Sequence, residues 1–122
     1  MSAFGDVGRD DPLRIWDGVV AWTIQGERET LALIELEPRT VVPEHAHENE
    51  QVGVLLRGSL TFRIDGEERE LGPGETWAIR PQAPHDVVTG SDGATLVEVF
   101  VPGRDDWSAH ERVPGRRPHP LG

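Results

Sequence analysis

The feature that most limits how this chain can fold is the spacing of its breakers. Glycine or proline interrupts it at positions 18, 26, 38, 43, 58, 66, 72–74, 81, 84 and 93. No segment of helical length between them carries a 3.6-residue apolar period. The intervals are short runs rich in β-branched and apolar residues. They predict strands at 19–25 (VVAWTIQ), 30–36 (TLALIEL), 51–57 (QVGVLLR), 59–65 (SLTFRID), 67–71 (EEREL), 76–80 (TWAIR), 85–89 (HDVVT) and 95–101 (TLVEVFV). Many short strands with regular turns define an all-β sandwich or barrel with little or no helix. Asp65-Gly66 in "IDGEE" marks a tight hairpin.

The chain divides into a polar, acidic arm (1–12), a barrel (13–107) and a Pro- and Arg-rich tail (108–122). Arm and tail are expected to be loose and solvated. "VGVLL" and "TLVEVFV" place apolar residues on both faces of their strands, so both faces must be covered. In a chain of 122 residues the second cover is most simply another copy, and a homodimer is expected.

Composition removes several function classes. There is no cysteine, which excludes disulfides, thiolate metal sites and thiol catalysis. The formal net charge of -10 argues against nucleic acid or an acidic membrane as partner. No signal peptide and no apolar stretch of spanning length is visible, so a cytoplasmic protein is the default.

The chemistry concentrates in "PEHAHENEQVGVLLRG" (43–58). On a strand, His45 and His47 project to one face, and Asn49 and Gln51 share that parity if the strand runs unbroken. Glu48 and Glu50 have the opposite parity. Parity therefore favours Gln51 over the two glutamates as a further ligand, unless the polar "HENE" kinks the chain. His85, behind the stiff Pro81–Pro84 segment, is a third candidate; His110 and His119 lie in the tail. Three imidazoles and an amide oxygen suit a divalent transition metal: Zn, Ni, Fe, Mn or Cu. Such a neutral ligand set leaves the cation's charge intact but supplies no base. An unrelated His-x-His on a polar loop is the bland alternative.

The spacing resembles the cupin family. Its first motif reads His-x-His, three or four residues, Glu, six residues, Gly. His45, His47, Gln51 and Gly58 fall at those spacings, with Gln51 in the glutamate slot. In the second motif Gly74 and His85 match, whereas Arg80, Gln82 and Thr89 stand in the Pro, Gly and Asn slots. The resemblance covers roughly residues 13–107. It implies a double-stranded β-helix, a jelly-roll-like barrel of roughly six to eight strands, with a metal in its mouth and commonly a dimer.

The glutamine, with Glu98, Phe100 and Arg104 in "EVFVPGRDDW", is similar to the cupins that linearise 4,5-unsaturated uronic acids, although Glu98 replaces their usual Asp. That resemblance implies a small anionic sugar as substrate. It also implies Arg104 on the substrate carboxylate, Glu98 in proton transfer and Phe100 against the ring. A buried Glu98 paired to Arg57 or Arg104 is the structural alternative. Two other functions are compatible with the fold: a cupin oxygenase on phenolic or diketone substrates, and a non-catalytic metal- or sugar-binding module. Trp16, Trp22 and Trp77 read as core or dimer-interface residues, and Trp107 as an anchor for the chain end.

Overall fold

A computed structural model describes residues 2–119. Eight strands form one hydrogen-bonded sheet: β1 (Leu13–Trp16), β2 (Val19–Gln25), β3 (Thr30–Leu36), β4 (Val41–His45), β5 (Glu50–Ile64), β6 (Glu67–Leu71), β7 (Thr76–Ile79) and β8 (His85–Val101). A 3-10 turn follows at Asp105–Ala109 and contributes the only helical residues among those described, apart from His119. No helix among the described residues is long and apolar enough to cross a membrane.

Two strands organise the rest. β5 and β8 are 15 and 17 residues long, and each contributes to two layers. The second half of β8 pairs with β3 and with the first half of β5. Its first half pairs with β4 and with the second half of β5. The register shifts at Leu55/Arg57 and Gly58/Leu60, which lets the strands bend from one layer to the other.

This corrects the expectation of separate strands at 51–57 and 59–65, and at 85–89 and 95–101. Gly58 and Gly93 do not end the strands. Their left-handed φ values of 84° and 71° fall at the register shift between Gly58↔Ala94 and Leu60↔Thr89, a bulge inside the long strands. The structure also adds β1 and β4, which are too short or too polar to show an alternating pattern. The Asp65-Gly66 hairpin forms as expected, with φ positive at both residues, as a type I′ turn requires.

The core lies between the layers. Ala21, Ala32, Ile34, Leu55, Leu60, Phe62, Ile79, Val87, Leu96 and Phe100 are buried there. The outward parity of β5 and β8 carries Val52, Val54, Val97, Val99 and Val101. Val52 and Val101 remain exposed and the other three partly so.

The end of the arm and the tail are held rather than loose. Arg14 N–H donates to Glu111 O, Val113 N–H to Pro12 O, and Arg112 Nη1 to Asp11 O. Pro118 is fully buried. The Arg116 guanidinium meets the buried Glu35 carboxylate on the outer face of β3 at 3.0 Å. Met1 and residues 120–122 of the arm and tail segments lie outside the described residues.

Candidate metal centre and cavity

A cavity of about 260 Å³ opens between the layers. Its inner wall is apolar: Ile34, Leu36, Val42, Phe62, Val87 and Leu96. The remaining wall carries His45, His47, Gln51, His85, Glu98 and Arg104 beside Phe100. His45, His47, Gln51, His85, Glu98, Phe100 and Arg104, the residues that the sequence favoured for the site, therefore all line this one space.

The three histidines converge. Each can present one ring nitrogen within 4.8 Å of the others. His45 ends β4 and faces His85, its register partner at the start of β8, with ring centroids 4.3 Å apart. His47 lies beyond β4, just before a bend at Glu48 and Asn49. Thus the strand does not run unbroken to Gln51, and simple parity is not what brings them together. Gln51 reaches the cluster because β5 begins at Glu50, after the kink. Asn49, which shared the parity, instead uses its Nδ2 to hold the Pro102 carbonyl at 2.6 Å. Glu48 and Glu50 are exposed.

The backbone sets the tautomer of each imidazole. His45 Nδ1 donates to Pro43 O at 2.8 Å, His47 Nδ1 to Asn49 O at 3.0 Å, and His85 Nδ1 to Ala83 O at 2.9 Å. A proton on each Nδ1 leaves each Nε2 with a free lone pair, the form that ligates a metal. His85 Nε2 is buried and has no partner among the described residues. His47 Nε2 lies 3.0 Å from Gln51 Oε1, so two acceptors face each other. Converging lone pairs and an orphaned buried nitrogen are the arrangement that a cation relieves, and this donor set fits a divalent transition metal. Burial depresses the His47 pKa, assisted by the charge of Arg104. Burial takes His85 down to about 4, so it is neutral at physiological pH.

The approach to His85 is rigid. Gln82 N–H donates to His47 O at 2.7 Å, and Asp65 N–H to Pro84 O at 2.8 Å. Gln82 adopts φ of 65°, the left-handed region that favours glycine. Thr89, in the family's Asn position, is buried and bonded through Oγ1 to Thr40 N–H and Glu37 O, each at 2.7 Å.

Glu98 sits one position before the outward Val99 and faces the cavity, buried. Among the described residues no arginine pairs with it: Arg57 donates to Thr95 Oγ1 and Arg104 to Asp106. Its Oε2 accepts from Gln51 Nε2 and, at 2.7 Å, from Trp77 Nε1. Burial pushes its carboxyl up to about 7, against the downward pull of those two bonds and of the Arg104 charge. Arg104 stacks on Phe100 (5.0 Å) and Trp107 (4.6 Å). Its Nε and Nη2 form a bidentate pair with Asp106, each at 3.1 Å, which lowers the Asp106 pKa.

Trp16 and His110 line the cavity without having been assigned to it from sequence, and Trp77 bonds a residue that lines it. Trp16 packs its ring 5.2 Å from that of His45. His110, assigned to the tail, lines the cavity near Arg104. Trp77, read as core, is buried as expected and also bonds Glu98. Only the alternation of the TWAI segment hinted at an inward Trp77; nothing local marks the other two.

Comparison with known proteins agrees with this geometry. The model for the Cupin domain matches residues 32–102, more than half of the chain, and the chain belongs to that family. Over 64 residues it is 31% identical to the pectin degradation protein KdgF of Dickeya dadantii, covering 52% of this chain and 58% of that protein. Over 67 residues it is 33% identical to the HTH-type transcriptional regulator PuuR of Escherichia coli, covering 52% of this chain and 36% of the regulator. The chain thus spans between about a third and three fifths of these relatives. The structure of KdgF from Halomonas sp. superposes with a TM-score of 0.78 at 21% identity, covering 87% of this chain and 98% of that one, which establishes the shared fold.

Proposed function

We propose that this protein is a metal-dependent cupin that opens the ring of 4,5-unsaturated uronic acids to linear keto sugars. The observation that carries the reading is Glu98. It is a buried carboxyl with no cationic partner among the described residues, in one cavity with the histidine cluster and an arginine. His45, His47, His85 and Gln51 would hold the divalent ion, which would supply Lewis-acid polarisation of substrate oxygens. Every other step falls to side chains. Arg104 pairs with the sugar carboxylate through the donors that Asp106 leaves free. Phe100 packs on the ring. Glu98 accepts the proton of the anomeric hydroxyl as the bond from C1 to the ring oxygen breaks, giving the aldehyde. It then returns that proton to C4 of the released enolate, giving the ketone at C5, so no water is consumed. A carboxyl with a pKa of about 7 is matched to both transfers at neutral pH. The KdgF similarity supports the same reading.

The test is direct. Metal-loaded protein mixed with unsaturated uronates should erase the enol-ether ultraviolet absorbance faster than the spontaneous rate. Unchanged rates across several such sugars would sink the proposal. The apolar inner wall favours a second reading, an oxygenase on a phenolic or diketone substrate, for which oxygen uptake with an Fe or Cu load is the measurement. The PuuR similarity favours a ligand-binding module, which would bind without turnover.

As part of this reading, the exposed Val52 and Val101, with the partly covered Val54, Val97 and Val99, would meet a second copy of the chain. Light scattering at micromolar concentration should return a dimer mass.

A further inference from the structure

The indole of Trp77 has no part in the chemistry described above, yet it touches its central carboxylate from an unexpected direction. Trp77 is on β7 and Glu98 on β8, with β5 running between them. Gly53 is the register partner of both. The row Trp77, Gly53, Glu98 therefore crosses three strands, and its outer members are about 10 Å apart at the backbone. An indole bridges that gap only if the middle residue has no side chain. A Cβ on Gly53 would stand 2.6 Å from Cε2 and Cζ2 of Trp77 and 2.7 Å from its Nε1. The backbone of Gly53 does not need glycine, since its φ is not positive. The requirement is space.

Through that opening Nε1 donates to Glu98 Oε2 at 2.7 Å, and Gln51 Nε2 donates to the same oxygen. Oε1 accepts no bond from any described residue, and it is not among the buried unpaired atoms, so it borders the cavity. A carboxylate rotates readily about its last torsion. Two donors arriving on one oxygen from different strands stop that rotation.

We infer that Trp77, reaching across Gly53, is a positioning residue that holds the Glu98 carboxylate with Oε1 turned toward the substrate. The inference rests on the proton-transfer role proposed for Glu98. Its test has two arms. In 15N-labelled protein, assigned by loss of the signal in Trp77→Phe, the Trp77 indole N–H should resonate downfield and exchange slowly with solvent. Glu98→Ala and Gly53→Ala should each abolish both properties. In metal-loaded protein, Trp77→Phe should lower kcat about ten- to hundred-fold with KM within twofold, because orientation rather than binding is lost. Gly53→Ala should do the same, and it carries this arm if Trp77→Phe does not fold. An indole signal indifferent to Glu98→Ala overturns the inference, as does an unchanged kcat in both variants. Failure of the wild type to open any unsaturated uronate would refute the proposed function instead. The indole signal would then still decide whether Trp77 orients Glu98.

Discussion

Two glutamates on neighbouring strands are almost equally buried, Glu35 at 3% and Glu98 at 5% exposure, and the protein treats them in opposite ways. Glu35 points outward from β3. The tail reaches it with a cation: Arg116 at 3.0 Å on one oxygen, and the His119 N–H on the other. Glu98 points inward from β8 and receives only neutral donors, an amide and an indole. A buried charge matched by a cation is a structural fastening. A buried carboxyl left without one keeps its proton to about pH 7 and can exchange it. Burial alone does not distinguish structure from chemistry. The partner does.

The widest separation between the two should appear in turnover. Glu98→Gln keeps the shape but cannot carry the proton, and ring opening should fall by about 10²–10⁴-fold, whereas Glu35→Gln should leave kcat within twofold. Equal losses in both would erase the contrast. Next is the metal site proposed beside Glu98. His85→Ala removes the buried, unpartnered Nε2, and affinity for Zn or Ni should drop more than about 100-fold by calorimetry, since even indirect partners of a ligand cost 10–100-fold.

The third effect falls on Glu35. Arg116→Ala leaves its carboxylate buried and half-satisfied. Chemical denaturation should show a loss of about 1–3 kcal/mol, at the lower end of what a broken buried pair costs because Arg116 is 35% exposed. Activity should survive.

The smallest net effect is the pH dependence of stability in the metal-free protein, because two groups of opposite sign contribute to it. The folded chain keeps the Glu98 proton up to about pH 7, whereas the unfolded chain releases it near 4.5. The folded state therefore binds more protons in that window, and its stability falls as pH rises from 4.5 to 7. His85 acts with the opposite sign: its pKa of about 4 costs stability as pH falls below 6.5. The difference between wild type and Glu98→Gln isolates the Glu98 contribution, and parallel curves for the two would contradict it.

Much of this was legible from local pattern. Alternation with frequent Gly and Pro marked the β class. The interval from His47 through Gln51 to Gly58 marked the ligand candidates, and the alternation of Glu98 with valines marked a buried carboxylate. What misled was punctuation. Gly58 and Gly93 read as strand ends, yet they sit at an irregularity on either side of which β5 and β8 pair with each other. The tail read as solvated because its charges have no local partners; theirs lie on β3 and in the arm, distant in sequence.

The sequence by itself determined the period-2 alternation, the turns and the residue types able to hold a metal, because these depend on neighbours within a few positions. Only the tertiary structure decided that His47 and Gln51 meet across a kink, that Trp77 reaches Glu98 over Gly53, and that Arg116 neutralises Glu35 while no cation among the described residues pairs with Glu98. Those outcomes depend on register between strands far apart in the chain. A shift of one residue in that register turns every side chain to the opposite face.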